Sequence, residues 1–346
     1  MLLVVDMGIV YKTVLAMSTP STPQFSIKKQ RIDVLFEAMF HGKWNFGDFV
    51  GASVQTNTIS KSFIQGGKTR NVLVPSEKLR NFHDFLRLFL LDFLPFNNDV
   101  VFSYRKGVSA YDAVIKHSAS KSFFVCDIAN FFPSIKRNLI KTTLLRAKEL
   151  CPIDDLESVV EKILDLVCTD AGLPQGFSTS PVISNSVLLE FDNAFHEYAT
   201  EKGLLFTRYS DDIIISSQNT EGLEGIETTV CDFLYKTMGA NFSLHFGKSR
   251  LLYSGVKIKL LGMVLLPNGQ VSVDASIKNE IEVLIHFYLR DRNKFADKVD
   301  GDTQKAEARL AGLVNYVNTI DKSYLDKLRK KFGVAVVDYF LHRSFS

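Results

Sequence analysis

"RYSDDIIISS", residues 208–217, sets two adjacent aspartates against a run of three isoleucines. Ile213–Ile215 has the β-branched, apolar character of a strand entering a core. Asp211 and Asp212 therefore stand at the mouth of an apolar strand, where mutual repulsion and desolvation both oppose them. The preceding "LLFTR" (204–208) supplies a second strand. Residues 204–217 thus read as strand, tight turn, strand, with Ser210, Asp211 and Asp212 at the tip. Asp127 has the same setting, at the end of the apolar run "SFFVC" (122–126). If its strand pairs beside the hairpin, three carboxylates converge on one edge of a sheet.

Carboxylates so placed need cations. A triad in an apolar surround is the arrangement that holds two Mg²⁺ ions about 3.5–4 Å apart, with Mn²⁺ as a substitute. Such a pair lowers the pKa of an attacking hydroxyl and stabilises a leaving pyrophosphate, which is polymerase chemistry. A lone Ser-Asp-Asp is more often an ordinary solvated turn, since Asp is common in turns. Three further stretches decide between the two.

"CDIANFFPSI" (126–135) places an aromatic, Phe132, five residues after Asp127, and resembles motif A of reverse transcriptases. Phe131 and Phe132, adjacent on an extended chain, are expected on opposite faces, with Phe131 in the core. "GLPQGFSTSP" (172–181) matches motif B of that family without a gap, and "RYSDD" matches its YxDD motif. The order of the three, at these distances, resembles a reverse transcriptase over roughly residues 60 to 340.

The resemblance implies roles residue by residue. Asp127, Asp211 and Asp212 would be the catalytic and metal-binding carboxylates, Asp211 most directly and Asp212 as a weak ligand or a support. Phe132 would stack beneath the incoming sugar and exclude a 2′-hydroxyl. Gln175 would contact the nucleotide, and Tyr209 would lie against the primer end. "GGKTRNVLVPSEKLR" (66–80) is similar to the fingers motif that clamps the triphosphate. Its Lys68 and Arg70, two apart on an expected strand, share a face. "SYRKGVSAYDAVIKH" (103–117) resembles the template-contacting segment, with Arg105, Lys106 and Ser109 as candidates for backbone contacts. Lys248, in "LHFGKSR" (244–250), aligns with the motif D lysine that protonates the leaving pyrophosphate. "LLGMVL" (260–265), with Gly262, resembles the primer grip. Cys126 is expected in the core and His117 in a structural or helix-capping place.

Composition bounds the rest. The chain has 346 residues, 46% hydrophobic and 23% charged, an ordinary globular balance that argues against disorder. Net charge is only +3, so a polyanion-binding surface must be local. Four scattered cysteines without a CxxC pair argue against a zinc site or disulfide framework and fit a reducing cytoplasm. The N-terminal "MLLVVDMGIVYKTVLAM" lacks a basic leader, and Asp6 and Lys12 interrupt it. It reads as an amphipathic helix or strand rather than a signal peptide. No apolar run is long enough to span a bilayer; "FHDFLRLFLLDFL" (82–94) carries Asp84, Arg87 and Asp92 at helical intervals.

The implied fold is α+β, a right-hand polymerase: an N-terminal arm at 1–29, fingers at 30–120, a palm with an antiparallel sheet at 121–270, and a helical thumb at 271–346. Within this frame, strands are expected through "KSFFVCDIANFF" to Pro133 and as a second hairpin turned at Pro267–Gly269. Helices are expected from Ser76 to about Leu94, at 138–150, 155–168 and about 187–200, with a loop over 170–185. The chain is expected to end with the thumb, without an RNase H, endonuclease or maturase domain.

That size resembles the compact bacterial enzymes, retron and defence-associated. Both use a structured noncoding RNA template and are implicated in defence against phage. The resemblance implies deoxynucleotide triphosphates as substrates, a DNA product, no membrane, an effector protein alongside and a homo-oligomer as options. Two departures favour an enzyme outside the typical retrons. The run Asp112–His117 differs from Asn-Ala-x-x-His, and Leu260–Gly262 stands where retrons carry Val-Thr-Gly. Untemplated nucleotide addition and an idle RNA-binding scaffold stay open beside templated synthesis.

Overall fold

A computed structural model describes residues 28–65 and 68–343, with the backbone alone for 64, 65 and 68–70. The N-terminal segment, and all but the last two residues of the expected arm, lie outside the described residues. Helices α1 (Ile32–Phe40) and α2 (Phe46–Gly51) precede a hairpin of β1 (Thr58–Gln65) and β2 (Lys68–Pro75). Then come α3 (Glu77–Phe89), α4 (Ala110–Lys116), β3 (Ser122–Asp127) and five helices: α5 (Phe131–Ser134), α6 (Arg137–Leu145), α7 (Leu156–Val167), α8 (Thr179–Val187) and α9 (Leu189–Glu201). Strands β4 (Leu205–Tyr209) and β5 (Asp212–Ser217), helix α10 (Ile226–Met238) and β6 (Arg250–Tyr253) follow. Strands β7 (Ile258–Leu260), β8 (Met263–Leu265) and β9 (Val271–Val273) lead into α11 (Ala275–Arg290), α12 (Arg292–Asp297), α13 (Thr303–Ile320), α14 (Lys322–Phe332) and α15 (Val334–His342).

The central sheet is antiparallel, in the order β4-β5-β3-β6. Ile213–Ile215 of β5 form an unbroken apolar run because both faces of the sheet are covered there. Ile213 and Ile215 enter one core with Phe124 and Cys126, while Ile214 enters a second core with Phe123. Strand alternation alone assigns these partners. The first core joins the helices of the N-terminal half to the sheet. It includes a phenylalanine cluster in which the Phe36 ring stands 5.3–5.7 Å from those of Phe49, Phe82 and Phe85. The second core packs β7–β9 with the C-terminal helices. No helix among the described residues is long and apolar enough to cross a membrane.

Ser76 caps α3 as expected, its Oγ accepting from the Leu79 N–H at 3.2 Å. The helix ends at Phe89 rather than Leu94; Leu90 leaves helical geometry and a 3₁₀ turn follows over Leu91–Phe93. Three other expectations are corrected. The strand through Asp127 stops there, and Phe131–Phe132 open the short helix α5 behind Asn130, which takes φ +48°. The expected loop at 170–185 holds α8, because Pro181 lies in its first turn, where a missing N–H costs nothing. The single hairpin at 257–273 is a three-stranded meander. Leu261 and Gly262 make its first turn with φ +48° and +80°, the two left-handed positions of a type I′ turn.

Candidate active site

Antiparallel pairing of β3 with β5 sets Asp127 directly opposite Asp212, and pairing of β4 with β5 sets Tyr209 opposite Asp212. Ser210 and Asp211 are left as a two-residue turn. The Ile128 N–H donates to the Asp211 carbonyl at 3.0 Å, which ties that turn to the end of β3. The three carboxylates therefore share one sheet edge, Asp127 buried and its neighbours half-buried. Lys248 joins them from a segment that crosses the end of β3, where the His245 N–H donates to the Asp127 carbonyl at 2.8 Å. The Lys248 ammonium donates to Asp127 Oδ2 at 2.7 Å, and Asp127 Oδ1 is buried with no partner among the described residues.

Among the described residues no three carboxylate, histidine or cysteine side chains are closed into a ready metal cage. The expected triad is gathered but open, with an ammonium standing on one oxygen of Asp127. The donor set nevertheless fits a hard cation. It is all carboxylate oxygen, and the buried unpartnered Oδ1 has no other means of satisfaction among the described residues.

Burial, then the charges of Asp211 and Asp127, push the Asp212 carboxyl up to about 6, against the pull of Lys248. The folded value lies above the ordinary one, so this contribution to stability is complete below about pH 4. It is lost as pH rises through about 6. A shift of about two units bounds the effect near 3 kcal/mol, and the half-exposed setting reduces it to on the order of 1–2 kcal/mol. In EDTA, the melting temperature of Asp212→Asn minus that of the wild type should increase from pH 4 to pH 7. A difference independent of pH would refute the perturbation.

Motifs A and B pack through backbone. The Leu173 N–H donates to the Phe132 carbonyl at 3.2 Å, and the Leu73 N–H of β2 donates to the Gln175 carbonyl at 3.0 Å. Gly176, at φ +101°, passes so close to β2 that a Cβ would lie 2.6 Å from the Leu73 carbonyl. Gln175 is exposed beside this contact. Lys68 and Arg70 lie on β2, whose backbone runs on to it. Phe131 is buried as expected, but on a helix rather than a strand the two rings do not take opposite faces: they meet edge to face at 5.6 Å, and Phe132, half-buried, packs against the same core.

The 103–117 segment is tied down by its own side chains. Arg105 Nη1 donates to the carbonyls of Asn98 at 2.8 Å and Val101 at 2.5 Å. The Asp112 carboxylate accepts from both the N–H and Oγ of Ser109 at 2.7 Å, capping α4. Lys106 is exposed. His117 is buried between Ser216 Oγ at 2.6 Å and Thr207 Oγ1 at 2.8 Å, with burial holding it down at about 3, so it is structural as expected. Cys126 is likewise in the core. Gly262 is exposed at the tip of the β7–β8 turn, away from any close neighbour but the Tyr316 hydroxyl.

Sequence reasoning missed the residues beneath the catalytic turn. Arg208 and Asp192 form an ion pair with both side chains fully buried, and Ser103 and Asn185 complete a network around it. Arg208 stands in the quoted motif. Asp192 has Leu188 four residues before it and Phe195 three after, so the available signal was a charge on an apolar helical face.

Residues 60–265, more than half of the chain, match the family described as Reverse transcriptase (RNA-dependent DNA polymerase). Among curated proteins, the retron Ec73 reverse transcriptase of Escherichia coli is 26% identical over 77% of this chain and 84% of its own length. The retron Ec86 enzyme of the same organism is 24% identical over 77% and 78%. Among solved structures, a telomerase from Candida tropicalis superposes with a TM-score of 0.46 at 13% identity, covering 65% of this chain and 56% of that one. So loose a likeness adds nothing to the assignment. These curated relatives are retron enzymes, one of the two compact bacterial classes that the resemblance offered. Asp112 and Leu260–Gly262 serve as a helix cap and a turn, local roles that other residue types can fill. The chain belongs to the reverse transcriptase family, as an RNA-directed DNA polymerase of the bacterial retron type.

Proposed function

We propose that this polymerase copies a structured noncoding RNA into DNA by two-metal nucleotidyl transfer, in antiphage defence. The observation that carries the chemistry is Asp127 facing Asp212 at one sheet edge, with a buried oxygen of Asp127 unpartnered. Asp127, Asp211 and Asp212 would hold two Mg²⁺ ions, or Mn²⁺. When bound, the ions supply activation of the primer hydroxyl and neutralisation of the leaving pyrophosphate. The carboxylates, made costly by their burial and mutual repulsion, are suited to recover that cost only with cations.

The chain's other residues orient the reactants. Lys68 and Arg70 take the triphosphate, Gln175 the nucleotide, and Phe132 the sugar face that a 2′-hydroxyl would crowd. Tyr209 and Gly262 hold the primer, while Arg105, Lys106 and Ser109 follow the template backbone. Lys248, already hydrogen-bonded at the site, passes its proton to the pyrophosphate. Fingers, palm and thumb are assigned to 30–120, 121–270 and 271–346. The RNA partner, the defence role, an accompanying effector protein and self-association rest on likeness to retron enzymes.

Primer extension on an RNA template in Mg²⁺ tests these roles. Lys248→Ala should lower kcat by roughly 10²-fold or more and remove the alkaline limb of the pH–rate profile. An unchanged profile would remove Lys248 from proton transfer. Phe132→Ala should admit ribonucleotides that the wild type rejects; unaltered sugar selectivity would count against a gate at that ring.

A further inference from the structure

Arg208 is a fully buried cation in the middle of the protein, and its whole fork is used. Nε donates to Asp192 Oδ1 at 2.7 Å and Nη2 to Asp192 Oδ2 at 2.6 Å. Nη2 also donates to the Asn185 carbonyl at 3.1 Å, and Nη1 to the Ser210 carbonyl at 2.9 Å. Ser210 is the first residue of the catalytic turn and takes φ +60°, a conformation that is strained for any residue but glycine. Its backbone is held from both sides. Opposite the Arg208 contact, the Ser210 N–H donates to Ser103 Oγ at 2.8 Å. Ser103 Oγ in turn donates to Asn185 Oδ1 at 2.9 Å, and Asn185 Nδ2 donates to the Ser103 carbonyl at 2.7 Å. The turn is thereby bound to the motif B helix α8 through Asn185, to α9 through Asp192, and to the loop before α4 through Ser103.

Stability does not account for this arrangement. A buried ion pair replaced by apolar residues of similar volume usually leaves a fold as stable or more so. What such a pair does provide is geometry, because the planar guanidinium fixes several acceptors at once. We infer that Arg208 and Asp192 are positioning residues that set the catalytic turn, and so the Asp211 carboxylate, against Asp127 on the neighbouring strand. The inference rests on the reading of Asp211 as a catalytic metal ligand. A misplacement of about 1 Å at such a site lowers the rate by about 10²-fold.

The test is single-nucleotide extension with purified Arg208→Met/Asp192→Leu, which removes both charges while keeping volume, and with Ser103→Ala, which removes one hydroxyl. Both variants should melt within a few degrees of the wild type. The double variant should lose about 10²-fold in kcat and Ser103→Ala about tenfold, with KM for the deoxynucleotide within twofold and with more Mg²⁺ needed for half-maximal rate. Restoring Arg208 and Asp192 should restore the rate. Wild-type kcat and Mg²⁺ dependence in either folded variant would overturn the inference, and Ser103→Ala decides it if the double variant does not fold. Asp211→Asn separates the two readings: an active Asp211→Asn sinks the metal-ligand assignment, whereas an inactive one beside fully active network variants sinks the positioning role alone.

Discussion

Asp127→Asn and Asp211→Asn should each lower DNA synthesis by at least about 10³-fold, with the fold intact. The rate follows from charge. Each substitution keeps the side-chain shape and removes an anion that, on the proposed reading, would hold a metal; a metal's stabilisation of transition-state charge is worth several kcal/mol, tenfold per 1.36 kcal/mol. The intact fold follows from the same electrostatics. Asp127 and Asp212 face each other across β3 and β5, so neutralising one carboxylate relieves repulsion. Asp127→Asn replaces the charged bond from Lys248 with a weaker one, at an ammonium that is half-exposed and able to find water. Single-nucleotide extension in Mg²⁺ gives the rate, and a melting temperature in EDTA gives the stability. Activity within tenfold of the wild type for either variant would contradict the assignment of that carboxylate.

Gly172→Ala should destabilise the protein by on the order of 3 kcal/mol and loosen the junction of motifs A and B. Gly172 takes φ +114°, and a Cβ there would lie 2.7 Å from the Pro133 carbonyl oxygen and 2.9 Å from that of Phe132. Both obstacles are backbone, so no rotamer change relieves them, and left-handed strain adds about 1–3 kcal/mol to the overlap. The segment that must move carries Phe132, whose carbonyl accepts from the next residue, Leu173. Extension activity should therefore fall along with stability. Gly255→Ala is the control, since Gly255 has φ +103° but nothing within 4 Å of its would-be Cβ. Equal losses in denaturant midpoint for the two variants would show that strain alone is at work and that the close approach is unimportant.

The central site was legible because its chemistry and its secondary structure coincide in a few residues. An apolar run closed by a carboxylate is a strand end with a charge, twice over; that the two strands are antiparallel neighbours with Asp127 opposite Asp212 is what the structure adds. Cys126 was legible as a core residue from strand alternation beside Asp127, whereas His117 could be read only as structural or helix-capping, without its partners Ser216 and Thr207. What failed to show was local backbone geometry. Asn130 and Leu261 adopt left-handed conformations that no Gly announces, so α5 and the β7–β8 turn were read as extended chain. The proline of α8 is read as a breaker in isolation, whereas in the first turn of a helix it is compatible. The Arg208–Asp192 pair was hidden for a deeper reason. Charged residues are expected at the surface, and only the tertiary meeting of α9 with β4 buries both.

The most direct test of templated synthesis is to purify the protein with its co-isolating RNA, add Mg²⁺ and labelled deoxynucleotides, and sequence both the RNA and the product. A discrete DNA complementary to that RNA is expected, absent with Asp211→Asn/Asp212→Asn. Product without complementarity would point to untemplated addition, and bound RNA with no product would point to a scaffold. Either result would contradict the account.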